Sequence, residues 1–311
     1  MAKEVRFWGW LHRVFLPRLR PWNYRLFASL YAWFMPPWLF RRTTRKAIRV
    51  EREDGTKLKC YVYVPKKPKS DLMTGVMLIH GGGYCIGSVA EIGAYLHRIT
   101  KRDDAVVISP KYRLAYSHPY PAALEDCRLA LRYLYDHCED FHVNSNQIFV
   151  MGVSAGGGLT AALCLAERDD HGVPIAGQFP IYPMLDDRFT ATNQDNDAPV
   201  WNTKSNVAAW KTYLRDDYGG EVSCYAAPAR AEDVSALPPL VSYVGTIDPF
   251  YEEDTKFFHR LEEAGVEVHF KTYEGCFHAF DTMTGNSPQS RDALQYLEER
   301  FVYAQKNWFT K

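Results

Sequence analysis

The sequence of 311 residues predicts an α/β fold whose mostly parallel central sheet is flanked by helices. Three observations predict it. From Gly75 onward, short apolar runs of strand length alternate with stretches of helical period. Two glycine-rich sequences, His80-Gly81-Gly82-Gly83 and Gly152-Val153-Ser154-Ala155-Gly156-Gly157-Gly158, each lie directly after such a run. Two further segments, residues 1–45 and a stretch beginning at Pro183 and ending near Ala236, stand outside the alternation.

Residues 1–45 are rich in tryptophan (Trp8, Trp10, Trp22, Trp33, Trp38) and are cut by Pro17, Pro21, Pro36 and Pro37 into short helical pieces, which reads as a layer packed on something else. Ala47–Glu53 and Lys57–Val64 are strand-like around the hairpin signal Asp54-Gly55, giving two antiparallel edge strands. Gly75–Ile79 is continuously apolar, as in a strand buried on both faces. A helix at Ala90–Lys101 leads to a strand at Ala105–Ser109 and a long helix over Pro121–Cys138. The strand Gln147–Met151 enters the second glycine-rich sequence. The helix that starts there, near Ala155, shows Leu159, Ala162, Leu163 and Ala166 at helical spacing. Ile175–Tyr182 supplies the next strand, and Trp201, Trp210 and Tyr213 belong to an insertion. Strand Leu240–Val244, helix Tyr251–Ala264, strand Val266–Tyr273 and a helix over Pro288–Tyr303 complete the chain.

Gly152 to Gly156 is a G-x-S-x-G pattern at a strand-to-helix junction, a sharp turn that exposes Ser154 Oγ above the sheet. Nucleophilic chemistry at such a serine needs a base, a carboxylate to orient it, and donors for a developing oxyanion. The base expected is His278, in the loop that starts at Gly275 after the last strand; His259, inside a helix, and His269, on a strand, are the weaker rivals. The carboxylate expected is Asp248, in the loop after Leu240–Val244, where it could equally begin the helix ahead of Pro249. Gly82 and Gly83, whose missing Cβ atoms permit close backbone approach, are the expected oxyanion donors together with Ala155. His80 and Gly81 support that loop, as Gly152 and Gly156 support the turn at Ser154.

These motifs, with Tyr112-Arg113-Leu114-Ala115 and His118-Pro119-Tyr120-Pro121-Ala122-Ala123 between them and Asp248-Pro249 and His278-Ala279-Phe280 after them, stand in an order that resembles the bacterial hormone-sensitive-lipase-like esterases of the α/β-hydrolase superfamily. The resemblance spans residues 47 to 305. The chain differs where family members usually carry Asp in place of Val153 and Pro-Glu in place of Tyr116-Ser117. It implies an α/β-hydrolase fold with a helical cap, in which residues 1–45 and 186–236 form the cap and residues 46–185 and 237–311 the catalytic domain. It further implies a serine carboxylesterase acting through Ser154, His278 and Asp248, with no metal or cofactor, and a homodimer formed through the edge of the last strand; the aromatic residues of the cap point to short- to medium-chain uncharged esters. Amide hydrolysis on the same three residues is the alternative. A ligand-binding protein on this fold is disfavoured by the presence of His278.

Lys+Arg and Asp+Glu both total 37, so no overall charge points to nucleic acid. Eleven basic residues against Glu4 alone lie in the first fifty positions, which raises an interfacial membrane contact for residues 1–45, though such residues more often form a solvated face. Seven cysteines without a C-x-x-C pattern fit neither a disulfide framework nor a zinc site and point to a reducing, cytoplasmic setting. Neither a secretory signal nor a membrane span is expected: Arg6, His12 and Arg13 break up the start of the chain, and the run Leu26–Phe40 is short and carries Pro36-Pro37.

Overall fold

The computed structural model describes residues 1–15, 42–102 and 104–310. Trp22, Trp33, Trp38 and the four prolines of the N-terminal segment lie outside the described residues.

The strands are β1 (Thr43–Glu51), β2 (Lys57–Pro65), β3 (Met73–Ile79), β4 (Ala105–Pro110), β5 (Val143–Val153), β6 (Gly177–Ile181), β7 (Leu240–Gly245) and β8 (Val268–Tyr273). They form an eight-stranded sheet in the order β1-β2-β4-β3-β5-β6-β7-β8. From β4 through β8 all neighbours are parallel, whereas β2 runs antiparallel to both β1 and β4. The hairpin at Asp54-Gly55 forms as expected, but of its two strands β1 alone lies at an edge of the sheet. β2 is an interior strand, because Cys60–Tyr63 pair with Val107–Pro110 across a contact that local sequence does not encode.

The continuous apolar runs have the expected cause. β3, β4, β6 and β7 are buried along their whole length, with helices on both faces of the sheet. The helices are α1 (Lys3–Phe15), α2 (Gly93–Thr100), α3 (Ala122–Asp136), α4 (Ala155–Asp169), α5 (Thr203–Leu214), α6 (Tyr251–Glu263), a single turn α7 (Phe280–Met283) and α8 (Pro288–Asn307). α4, which begins at the residue after Ser154, is buried without a break from Ala155 to Glu167. That explains why its sequence is mostly apolar and rich in glycine and alanine: it is an interior helix, and small residues let it approach β5 and β6. α8 extends to Asn307, beyond the expected end, and Trp308 at its C-cap packs edge-on to Phe149 of β5 with ring centroids 6.3 Å apart.

One buried carboxylate ties the hairpin to the parallel sheet. Asp126 of α3, fully buried, accepts from Arg52 Nε and Nη2 at 2.6 and 3.0 Å and from the Arg113 amide at 2.8 Å. All of the cysteines are free, and six of the seven are buried. Among the described residues no helix is long and apolar enough to cross a membrane.

α1 and α5, the described helices outside the alternation, rest against loops that follow the C-terminal ends of β8 and β3. α1 buries Val5 completely and is fastened to the loop that carries His278: the Ala2 amide donates to Gly275 O at 2.9 Å, and His12 Nε2 lies 2.7 Å from Met283 O. It also reaches the insertion, where Arg13 donates to Asp197 O at 2.9 Å. α5, capped by Asn202 accepting from the Ser205 amide, presses Tyr213 flat against Tyr84 of the first glycine-rich loop, with ring centroids 3.9 Å apart.

Candidate active site

The turn after β5 is sterically over-determined. A Cβ on Gly152 would overlap the Gly156 carbonyl oxygen, and one on Gly156 would overlap the carbonyl oxygens of Ile79 and His80. With both positions bare, Ser154 is held at φ 57°, ψ −124°, a conformation rare for any residue with a side chain. Its amide donates to Ile181 O at 2.9 Å, and its carbonyl accepts from the Met184 amide at 3.1 Å and the Gly158 amide at 3.0 Å. The strain is thus met by bonds to β6 and to the chain just beyond it.

His278 comes from the loop between β8 and α7. That loop is pinned at its start by the Gly275 amide donating to Thr246 Oγ1 at 2.8 Å. His278 Nε2 lies 2.9 Å from Ser154 Oγ, and its Nδ1 lies 2.8 Å from Asp248 Oδ2. All three residues are buried, Asp248 completely. A carboxylate can only accept, so Nδ1 carries the proton and Nε2 is left to accept from the serine hydroxyl. Asp248 also begins a helix, since its Oδ1 accepts from the Phe250 amide at 3.0 Å just ahead of α6. The two readings of this residue from sequence are therefore compatible: one oxygen starts a helix and the other holds the imidazole.

The first glycine-rich loop lies beside this row. Gly82 and Gly83 have φ of 107° and 56°, where an L side chain is strained. Among the described residues neither amide donates to a backbone carbonyl. Ala155 is the first residue of α4, so its amide has no partner within the helix. His80 supports the loop: its ring stacks on Tyr112 with centroids 4.2 Å apart, its Nδ1 lies 2.9 Å from Gly81 O, and the Tyr112 hydroxyl donates to His80 O at 3.0 Å. Burial pushes the His80 imidazole down to about 4, so it is neutral at physiological pH. Gly81 packs under the elbow, where an added Cβ would sit 3.1 Å from Ser154 Cβ and 3.5 Å from Val153 Cγ2. Val153 is buried among apolar residues.

The rival histidines are engaged elsewhere. His269 Nε2 lies 2.8 Å from Glu267, and exposed His259 faces Glu262 and Glu263. Several neighbours of His278 were not legible in the sequence. Tyr182 and Phe250 meet its ring edge to face at centroid distances of 5.0 and 5.1 Å, and Trp201 of the insertion lies 6.2 Å away. The same Trp201 indole occupies the space that a Cβ on Gly83 would need. Glu253 of α6 fixes the start of the insertion by accepting from the amides of Leu185 at 2.8 Å and Asp186 at 3.2 Å. Its burial holds the carboxyl well above the usual range.

The chain is similar to known proteins over most of its length. Residues 76–282 match the family described as having the alpha/beta hydrolase fold. An esterase, LipI, of Mycobacterium tuberculosis is 32% identical over 70% of this chain and 69% of its own length. An arylacetamide deacetylase of Oryctolagus cuniculus is 28% identical over 76% of each. Among solved structures, a bacterial heroin esterase superposes with a TM-score of 0.83 at 30% identity, over 92% of this chain and 94% of its own. The chain belongs to this alpha/beta hydrolase family.

Proposed function

We propose that this member of the alpha/beta hydrolase family is a carboxylic ester hydrolase that works through Ser154, His278 and Asp248 on short- to medium-chain uncharged esters. The observation that carries the reading is the continuous row from Asp248 Oδ2 to His278 Nδ1 at 2.8 Å and from His278 Nε2 to Ser154 Oγ at 2.9 Å. In that row Ser154 Oγ attacks the ester carbonyl while Nε2 takes its proton. The oxygen of the tetrahedral intermediate is received by the amides of Gly82, Gly83 and Ala155, and the alcohol leaves with the proton from Nε2. A water deprotonated by the same nitrogen then attacks the acyl carbonyl and frees Ser154. Asp248 keeps the proton on Nδ1 and stabilises the imidazolium formed at each step.

The substrate class follows from the lining. Trp201 and Phe250 place aromatic surface beside His278, which favours an uncharged, apolar ester over an ionic one. Residues 1–45 and 186–236 are proposed as the cap, supported by the contacts of α1 and α5 with the loops of His278 and Gly83. The open side of β8 is the proposed dimer edge, and seven free thiols favour a cytoplasmic setting. Amide cleavage is a second reading, favoured by the name of the deacetylase relative and by the ability of the same row of groups to act on amides.

Initial rates on nitrophenyl esters of increasing acyl length, measured on the wild type and on Ser154→Ala, test the proposal. The wild type should prefer short and medium chains and Ser154→Ala should be inactive on all of them. Activity retained by the variant would refute it. Matched nitrophenyl ester and nitroanilide substrates decide between ester and amide.

A further inference from the structure

Behind His278, three tyrosine hydroxyls from three different elements converge on one carboxylate. Asp281, in α7 and three residues past His278, accepts from Tyr182 at Oδ1 (3.0 Å) and from Tyr95 of α2 and Tyr243 of β7 at Oδ2 (2.5 and 2.6 Å). The Tyr95 and Tyr182 hydroxyls also lie against each other. Asp281, Tyr95, Tyr182 and Tyr243 are each no more than 2% exposed. Burial pushes the Asp281 carboxyl up, and the three donated hydrogen bonds act against that. A buried polar group so fully partnered fixes geometry, because breaking one bond strands a charge or a hydroxyl away from water.

Tyr182 gives the cluster a role in the site. Its backbone lies between Ile181, whose carbonyl accepts the Ser154 amide, and Met184, whose amide donates to Ser154 O. It is held at φ 35°, and its own amide donates to Tyr243 O at 3.1 Å. Its ring meets the His278 imidazole edge to face at 5.0 Å, and its hydroxyl ends on Asp281. One residue thus touches the serine turn through its neighbours, the imidazole through its ring, and the histidine loop through its hydroxyl. On the far side of His278 the chain must turn through Ala279 at φ 58°, and the Asp281 carbonyl is held by Ser290 Oγ.

We propose that Tyr182 is a positioning residue of this hydrolase and that the Tyr95–Tyr182–Tyr243–Asp281 cluster sets the separation of Ser154 and His278. The proposal rests on the assignment of those two residues as nucleophile and base. A shift of the imidazole by a fraction of an ångström changes the chemical step and leaves substrate binding alone, so the signature is a loss in kcat at constant KM.

The test compares Tyr182→Phe, Asp281→Asn, Ser154→Ala and the remote buried variant Thr74→Val, whose hydroxyl bonds Gln147 on β5. Each is measured for kcat and KM on 4-nitrophenyl acetate well below its Tm, and for Tm itself. Tyr182→Phe and Asp281→Asn should lower kcat by about tenfold or more with KM changed by less than about twofold. Thr74→Val should lower Tm and keep its kcat. The proposal is overturned if Tyr182→Phe and Asp281→Asn keep kcat within about twofold of wild type while Ser154→Ala is inactive. It is also overturned if Thr74→Val, at a similar loss of Tm, loses as much kcat as they do. Ser154→Ala retaining activity would instead remove the assignment on which the proposal stands.

Discussion

Asp248→Asn separates the two jobs of one side chain. The amide is nearly isosteric with the carboxylate, so its oxygen at the Oδ1 position still accepts from the Phe250 amide at 3.0 Å and the start of α6 is kept. At the Oδ2 position, 2.8 Å from His278 Nδ1, an NH₂ group now stands. It can only donate, so Nδ1 must give up its hydrogen and Nε2 must carry it. Nε2, 2.9 Å from Ser154 Oγ, can then no longer take the serine proton. An inverted tautomer of this kind costs about 10⁴ in kcat, equivalent to about 5.5 kcal/mol of transition-state stabilisation. The folded state exchanges a charge-assisted hydrogen bond for a neutral one and gains no cavity, so stability should fall by about 1 kcal/mol. The assay is kcat on 4-nitrophenyl acetate alongside urea unfolding of the same sample. An Asp248→Asn protein with kcat within tenfold of wild type would refute the reasoning, most directly if its stability dropped by several kcal/mol, because the residue would then serve only the helix.

His278→Ala should lower kcat by about 10⁴ to 10⁶ with the fold retained, read by kcat and by circular dichroism. Gly83→Ala places a methyl group where the Trp201 indole now sits, at φ 56°, and 3.1 Å from Ala209 Cβ; displacing one oxyanion donor should cost about 10² to 10³ in kcat with a smaller change in KM. Asp126→Ala leaves Arg52 and Arg113 without their buried acceptor and should destabilise by about 3–5 kcal/mol in urea unfolding, with kcat at 25 °C preserved. Asp254, buried with neither oxygen hydrogen-bonded among the described residues, has its carboxyl held well above the usual range by burial. The folded state therefore holds a proton that the unfolded state releases, so this group makes stability fall as pH rises above the unfolded aspartate range. Asp254→Asn should flatten that slope and raise the urea midpoint at pH 8 more than at pH 5.

The residues proposed for chemistry were legible because each sits in a loop directly after a strand, where an apolar run followed by glycine or Asp-Pro marks the place. Ser154, Asp248 and His278 are 94 and 30 residues apart in the chain, yet parallel strands bring their C-terminal ends to one edge of the sheet. What remained hidden was set by contacts between distant segments. β5 begins at Val143, earlier than its apolar run, because Val143 pairs with Met73 of β3 and polar Asn144–Asn146 sit in the register shift before the Gly75–Ile148 pair. The interior place of β2 depends on β4. The Asp281 cluster joins four elements, and an aspartate three residues past a histidine has no local pattern to announce it. Tryptophan content points to a covering layer for residues 1–45, of which 1–15 and 42–45 are described, while the fastening of α1 to Gly275 and Met283 is a tertiary fact.

Covalent labelling tests the central claim most directly. The full-length protein is treated with diethyl 4-nitrophenyl phosphate, which phosphorylates an activated serine and releases nitrophenol, and the modified peptide is then mapped by mass spectrometry. The account predicts one adduct per chain, on Ser154, formed in step with loss of esterase activity and far more slowly in His278→Ala. Loss of activity with the adduct on another residue, or full activity with Ser154 modified, would contradict it.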